Sequence, residues 1–257
     1  MDDQLLTDLV AAALNDGRVA SLHAAVHARS PITTKPSTDE TWGSSTDSSG
    51  TTIWVAPTAF PAESLYHELL HAQMKLDGYC QHLTCVRVVE GNMPLLLAEA
   101  LDNELQHHRM FTQFEAAGFD PVRFYHDGDD QTFALVRREL RSMKPKKASA
   151  AAYFLKYLSI IAPGGAGSDD ERAKLDRFFR TQVPPDKLAK VDAAAQKVHA
   201  WGAAVTSDPG PVIMEIIAAL GEYDGWWIGK SQDFPTAGRF TGSKFTLDEA
   251  ARFAGQG

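Results

Sequence analysis

"TTIWVAPTAFPAESLYHELLHAQMKLDG" (51–78) decides how this 257-residue chain is read. Its first five residues, 51–55, are β-branched or aromatic and Pro57 stops the run, which predicts a strand over 51–57. Pro61 then opens a helix and Gly78 closes it. Within that helix His67 and His71 stand four apart, so both rings lie on one face and can offer nitrogens to one ion. Glu68 points about 100° away, beside the ion rather than on it, where a general base for a metal-bound water belongs. Leu65, Leu69, Ala72 and Leu76 form the opposite, core-facing stripe.

The chain carries its own control for this spacing. "HAAVH" (23–27) also sets two histidines four apart but lacks the acid, and it reads as surface or packing histidines. A third ligand is needed for the first pair. Asp77 falls where one motif class returns its last ligand, but that class turns on a glycine, and Met74 stands in that place. Methionine keeps the helix going and carries Asp77 away.

The segment 92–118 reads as a later helix with two candidate acids. At about 100° per residue, Leu96, Leu97, Ala100, Leu101, Leu105 and Phe111 form the apolar arc. Glu104 falls in the middle of that arc, and Glu99 at its edge beside Asn103 and Gln106. A carboxylate among apolar neighbours must be paired or metal-bound, which favours Glu104; a salt bridge to Arg109 or Arg123 is the alternative use.

"HELLH" (67–71) followed by "NE" (103–104) resembles the gluzincin branch of the zincin metallopeptidases, over residues 51–110. The resemblance implies zinc held by His67, His71 and Glu104, with Glu68 as catalytic base. It also implies an edge strand that pairs with an extended substrate, a role assigned here to Ile53–Val55. The gap from His71 to Glu104 is longer than the shortest in that group, and His108 stands where many members have an acid. "EALDN" (99–103) matches the E-x-x-x-N pattern of other members, so Glu99 stays an alternative. His108, one turn beyond Glu104, is the expected donor to the oxyanion, with His107, Tyr125 and His126 as further candidates.

Two other functions fit the same residues. Glu68-x-x-His71 and Glu104-x-x-His107 are both ExxH motifs, the kind that di-iron helical-bundle oxidases combine with further glutamates, here Glu63 with Glu99 or Glu90. A non-enzymatic zincin-like binding protein is the third reading, with Trp226 and Trp227 either an interaction surface or a core closure.

The bulk properties set the frame. Hydrophobic residues make up 44% and charged residues 23%, as in ordinary globular domains. The net charge of −8 argues against nucleic-acid and anionic-membrane partners. The acidic start, "MDDQLL", and the two cysteines, Cys80 and Cys85, read as thiols, predict a cytoplasmic protein. The expected fold is α+β and predominantly helical. It comprises a zincin-like domain over 1–163 and a helical region over 164–257, packed together as one domain. Helices are expected at 3–14, 93–117, 129–143, 147–162, 169–180, 185–204, 209–221 and 246–254; 18–29 fits helix or strand. The Ser/Thr-rich stretch 31–50 has no hydrophobic period and is expected to be a mobile loop. The expected partner is a protein or peptide substrate.

Overall fold

The structure is a computed structural model that describes residues 1–39, 41–80, 82–86, 93–125, 133–142, 148–165, 167–221, 225–230, 233–240 and 242–249. Two helices, α1 (Asp3–Leu14) and α2 (Gly17–Arg29), lead into β1 (Ile32–Pro36), β2 (Gly43–Asp47) and β3 (Gly50–Val55). Each helix starts on an aspartate, Asp2 or Asp16, whose carboxylate accepts a backbone N–H of the first turn. The ambiguous stretch 18–29 is thus helical.

The stretch 31–50 is not a loop: it holds β1 and β2. The sheet order is β1-β3-β2, with β1 parallel and β2 antiparallel to β3. These strands carry no hydrophobic face for periodicity to register: backbone pairing to β3 joins them, and hydroxyls meet across the strands. Thr46 and Thr51 lie 3.0 Å apart, Ser30 and Thr51 2.8 Å, and Thr33 and Thr52 3.4 Å. The apolar contribution comes from β3, whose Ile53 and Val55 are fully buried. Because β3 pairs on both sides, Ile53–Val55 is not an edge; β3 is the central strand, and β1 and β2 are the edges. Gly50 makes the β2–β3 connection possible. Its φ is +145°, and a Cβ there would sit 2.7 Å from the Pro31 carbonyl oxygen.

α3 (Pro61–Leu76) follows with Pro61 at its first position. Leu65, Leu69 and Ala72 are buried, as the stripe requires. α3 packs against α1 and α2, β2 and α4 (Met93–Ala116). It runs past Met74, so Asp77 ends up as its C-cap, paired with Arg29 at 2.6 Å on the surface.

The remainder is helical: α5 (Phe133–Ser142), α6 (Ala150–Ile161), α7 (Asp169–Gln182), α8 (Pro185–Gly202) and α9 (Gly210–Leu220). Ser168 and Glu171 form the capping box that the sequence announces for α7. A second small sheet, β4 (Leu83–Val86), β5 (Trp226–Gly229) and β6 (Arg239–Phe240), lies outside the sequence expectation. Its strands are too short for periodicity to register. Trp226 and Trp227 lie on β5 and are buried, so they close a core. The expected helix at 246–254 falls largely outside the described residues.

One core cluster runs from Ala13 to Ile228 and takes side chains from both halves of the chain. The fold is α+β with helix dominant. Among the described residues no helix is long and apolar enough to cross a membrane.

Candidate metal centre

α3 and α4 lie side by side, and each presents a histidine-bearing face to the other. Leu97, Leu101 and Leu105, at helical spacing, are fully buried and anchor α4, each contributing roughly 1.5–3 kcal/mol. That anchoring fixes which α4 residues reach α3: His107 does. His67, His71 and His107 form a group whose ligand atoms all lie within 4.8 Å of one another. Their ring centroids make a near-equilateral triangle with sides of 4.9, 5.0 and 5.1 Å.

His67 Nε2 and His71 Nε2 are 3.1 Å apart. Two ligands of one tetrahedral zinc at the usual Zn–N length stand about 3.3 Å apart, so the spacing suits a single ion. Burial pushes all three imidazole pKa values down, those of His67 and His107 well below the usual histidine range. For His67 and His107, neighbouring histidines in the group add to the effect. Neutral rings keep a nitrogen lone pair for a cation, which is the state a ligand needs.

Two of the rings are oriented from behind. His71 Nδ1 lies 2.9 Å from Gln106 Oε1, while Gln106 Nε2 donates to the carbonyl and carboxylate of Asp102 at 3.3 and 3.0 Å. The amide nitrogen faces acceptors, so its oxygen faces His71 and accepts a hydrogen bond from Nδ1–H. Asp102 also accepts from Tyr79 Oη at 3.0 Å. Burial raises the Tyr79 phenol well above its usual range, with Asp102 adding to the effect. His107 Nδ1 lies 2.9 Å from Tyr125 Oη. Phe124 packs its ring against His67 and His107.

A cavity of about 430 Å³ opens on this group. His67, His71, His107 and Glu68 form one wall, and β2 with Trp42 forms another. Trp42 is fixed by a 2.7 Å bond from its Nε1 to the Ala56 carbonyl. Glu68 is buried and faces the same space, as its phase on α3 demands.

The other expected site residues fall as follows. Glu104 is buried but outside the ligand group: Tyr125 Oη donates to its two oxygens at 3.2 and 3.4 Å, and His108 Nε2 lies 3.3 Å away. Glu104 therefore meets neither Arg109 nor Arg123, which stack on Trp201 and Phe60. Glu99 is exposed and lines the cavity outside the group. His108 does not line the cavity; its ring faces His199 on α8, because the residue after His107 points about 100° around the helix. Glu63 lies in the first turn of α3, where its charge acts on Arg18. Glu90 and His126 fall outside the described residues. His23 and His27 stack on α2, and His27 Nδ1 accepts from Ile32 N at 3.1 Å.

The sequence alone does not single out His107 as third ligand or Gln106 as the support of His71. The signal was present: Glu104-x-x-His107 puts the histidine about one turn beyond Glu104 on the same side of α4.

Compared with protein-family models, with curated proteins and with solved structures, the chain matches none.

Proposed function

We propose that this chain is a zinc-dependent metallopeptidase of zincin type, acting on a protein or peptide, in which His67, His71 and His107 hold the metal. The observation that carries the reading is the three-nitrogen triangle in the cavity wall that also contains Glu68. Three protein nitrogens with an open fourth position make a recurrent catalytic zinc site. A zinc ion held there supplies Lewis acidity and a water acidified towards a pKa of about 7.

The chain's own residues do the rest. Glu68 takes the proton of the attacking water as the new C–O bond forms, and delivers it to the amine as the C–N bond breaks. The outer edge of β2, which no strand covers among the described residues, offers main-chain groups to an extended substrate. The cavity is the size of a small-ligand or short-peptide site. A ligand group of nitrogens alone supports zinc over a di-iron centre, which is built mainly from carboxylates.

The test is hydrolysis of quenched fluorescent peptide libraries by zinc-loaded wild type and Glu68→Gln. Glu68→Gln is expected to keep one zinc per chain and to lose kcat on the order of 10²–10⁴-fold. Undiminished cleavage by that variant would refute the mechanism.

A further inference from the structure

We propose that Glu104 is a positioning residue: through Tyr125 it fixes the proton of His107 on Nδ1 and so turns Nε2, with its lone pair, to the metal. The proposal rests on the reading that the three histidines hold an ion. It gives the buried carboxylate a role different from the ligand role the sequence suggests.

A phenol has one proton. Tyr125 Oη uses it to donate a hydrogen bond to Glu104, at 3.2 and 3.4 Å, so the phenol oxygen accepts at its 2.9 Å contact with His107 Nδ1. The proton of that second bond belongs to His107. Its other nitrogen, Nε2, is then left bare, the form a ligating imidazole needs. Burial protects the arrangement: His107, Tyr125 and Glu104 are 2%, 7% and 5% exposed. Water therefore does not compete for the phenol or the ring.

The His71 arm repeats the logic with different groups. Asp102 orients Gln106, and Gln106 Oε1 accepts the hydrogen bond from His71 Nδ1–H. Both arms end on carboxylates of α4, the helix that supplies His107. The two acids thus set the tautomers of rings that would hold the ion, so Glu104 acts through a phenol rather than by direct bonding.

Glu104→Gln is the informative change. Its amide can donate to Tyr125, which frees the phenolic proton for His107 Nδ1 and moves the ring proton to Nε2. Tyr125→Phe removes the link without touching the acid. In metal-free protein, long-range ¹⁵N–¹H NMR reads the His107 tautomer directly. Wild type is expected to be Nδ1–H, and both variants are expected to shift towards Nε2–H. Zinc titration is expected to show one zinc per chain in all three, with affinity weaker by about 10- to 100-fold in each variant. The double variant should be no worse than either single one, because the residues act in series.

Loss of the zinc in Glu104→Gln with unchanged affinity in Tyr125→Phe would make Glu104 a ligand and overturn the proposal. An unchanged tautomer in Tyr125→Phe would overturn it as well, and that variant carries the test if Glu104→Gln does not fold. Wild type that takes up no zinc defeats the metal reading instead, and the metal-free tautomer measurement still decides whether Glu104 controls His107.

Discussion

Trp201 Nε1 donates to the Leu105 carbonyl at 2.8 Å, within the core. The bond ties α8, from the C-terminal half, to the backbone of α4 two residues before His107. Arg109 adds to the clamp by stacking its guanidinium 3.7 Å from the Trp201 ring centroid and donating to the Ala204 carbonyl. The C-terminal helices therefore buttress the helix that brings the third histidine. Trp201→Ala is expected to destabilise the fold by roughly 3–5 kcal/mol, and zinc affinity should fall with it. Denaturant unfolding and zinc titration check the pair of effects; a large stability loss with unchanged affinity would separate the buttress from the site.

Metal stoichiometry distinguishes the possible third ligands. His107→Ala is expected to lose bound zinc, and Glu99→Ala to retain one ion per chain. Inductively coupled plasma mass spectrometry on chelator-treated, zinc-reloaded proteins reads both directly. Zinc missing from Glu99→Ala would transfer the ligand role to that acid.

The depressed histidines give metal-free protein a defined pH dependence. Their folded pKa values lie below the ordinary 6.5, because burial disfavours the charged ring. Between the two values the unfolded chain binds more protons, so stability rises with pH there. It is fully present above about pH 6.5 and is lost as pH falls below that. Asp102 is shifted upwards by burial and works in the opposite sense. Comparison with His107→Gln therefore isolates the histidine contribution. Between pH 7.5 and 5.5 the Tm of metal-free wild type should fall more steeply than that of the variant. Parallel curves would count against buried, neutral rings.

Gly50 tests the link from sheet to cavity. Gly50→Ala forces a side chain into a left-handed φ and onto the Pro31 carbonyl, 2.7 Å away. The cost should exceed about 1 kcal/mol. Because β2 forms a cavity wall, the substitution should also raise KM more than it lowers kcat. Thermal melts and steady-state kinetics check both parts.

By its local signals the sequence alone predicts the strand at 51–57, which the structure bounds at Gly50–Val55, and the α3 helix with its two histidines and the phase of Glu68. These depend on periods of 2.0 and 3.6 and on end signals such as Pro61 and Gly78, all of which are local. It also marked Glu104 as a carboxylate in need of a partner, since burial follows from the apolar arc. The identity of that partner was not local. Whether Tyr125, 21 residues away, or a metal meets Glu104 depends on how the chain returns after α4. The rotation of α4 against α3 decides that His107 joins the pair, and the leucines of α4 and the Trp201 clamp set that rotation. Likewise, β1 and β2 are held by backbone pairing to β3, with hydroxyl pairs across the strands, and both exist only once the strands have met. Periodicity reports which face of an element is buried; packing alone decides what that face meets.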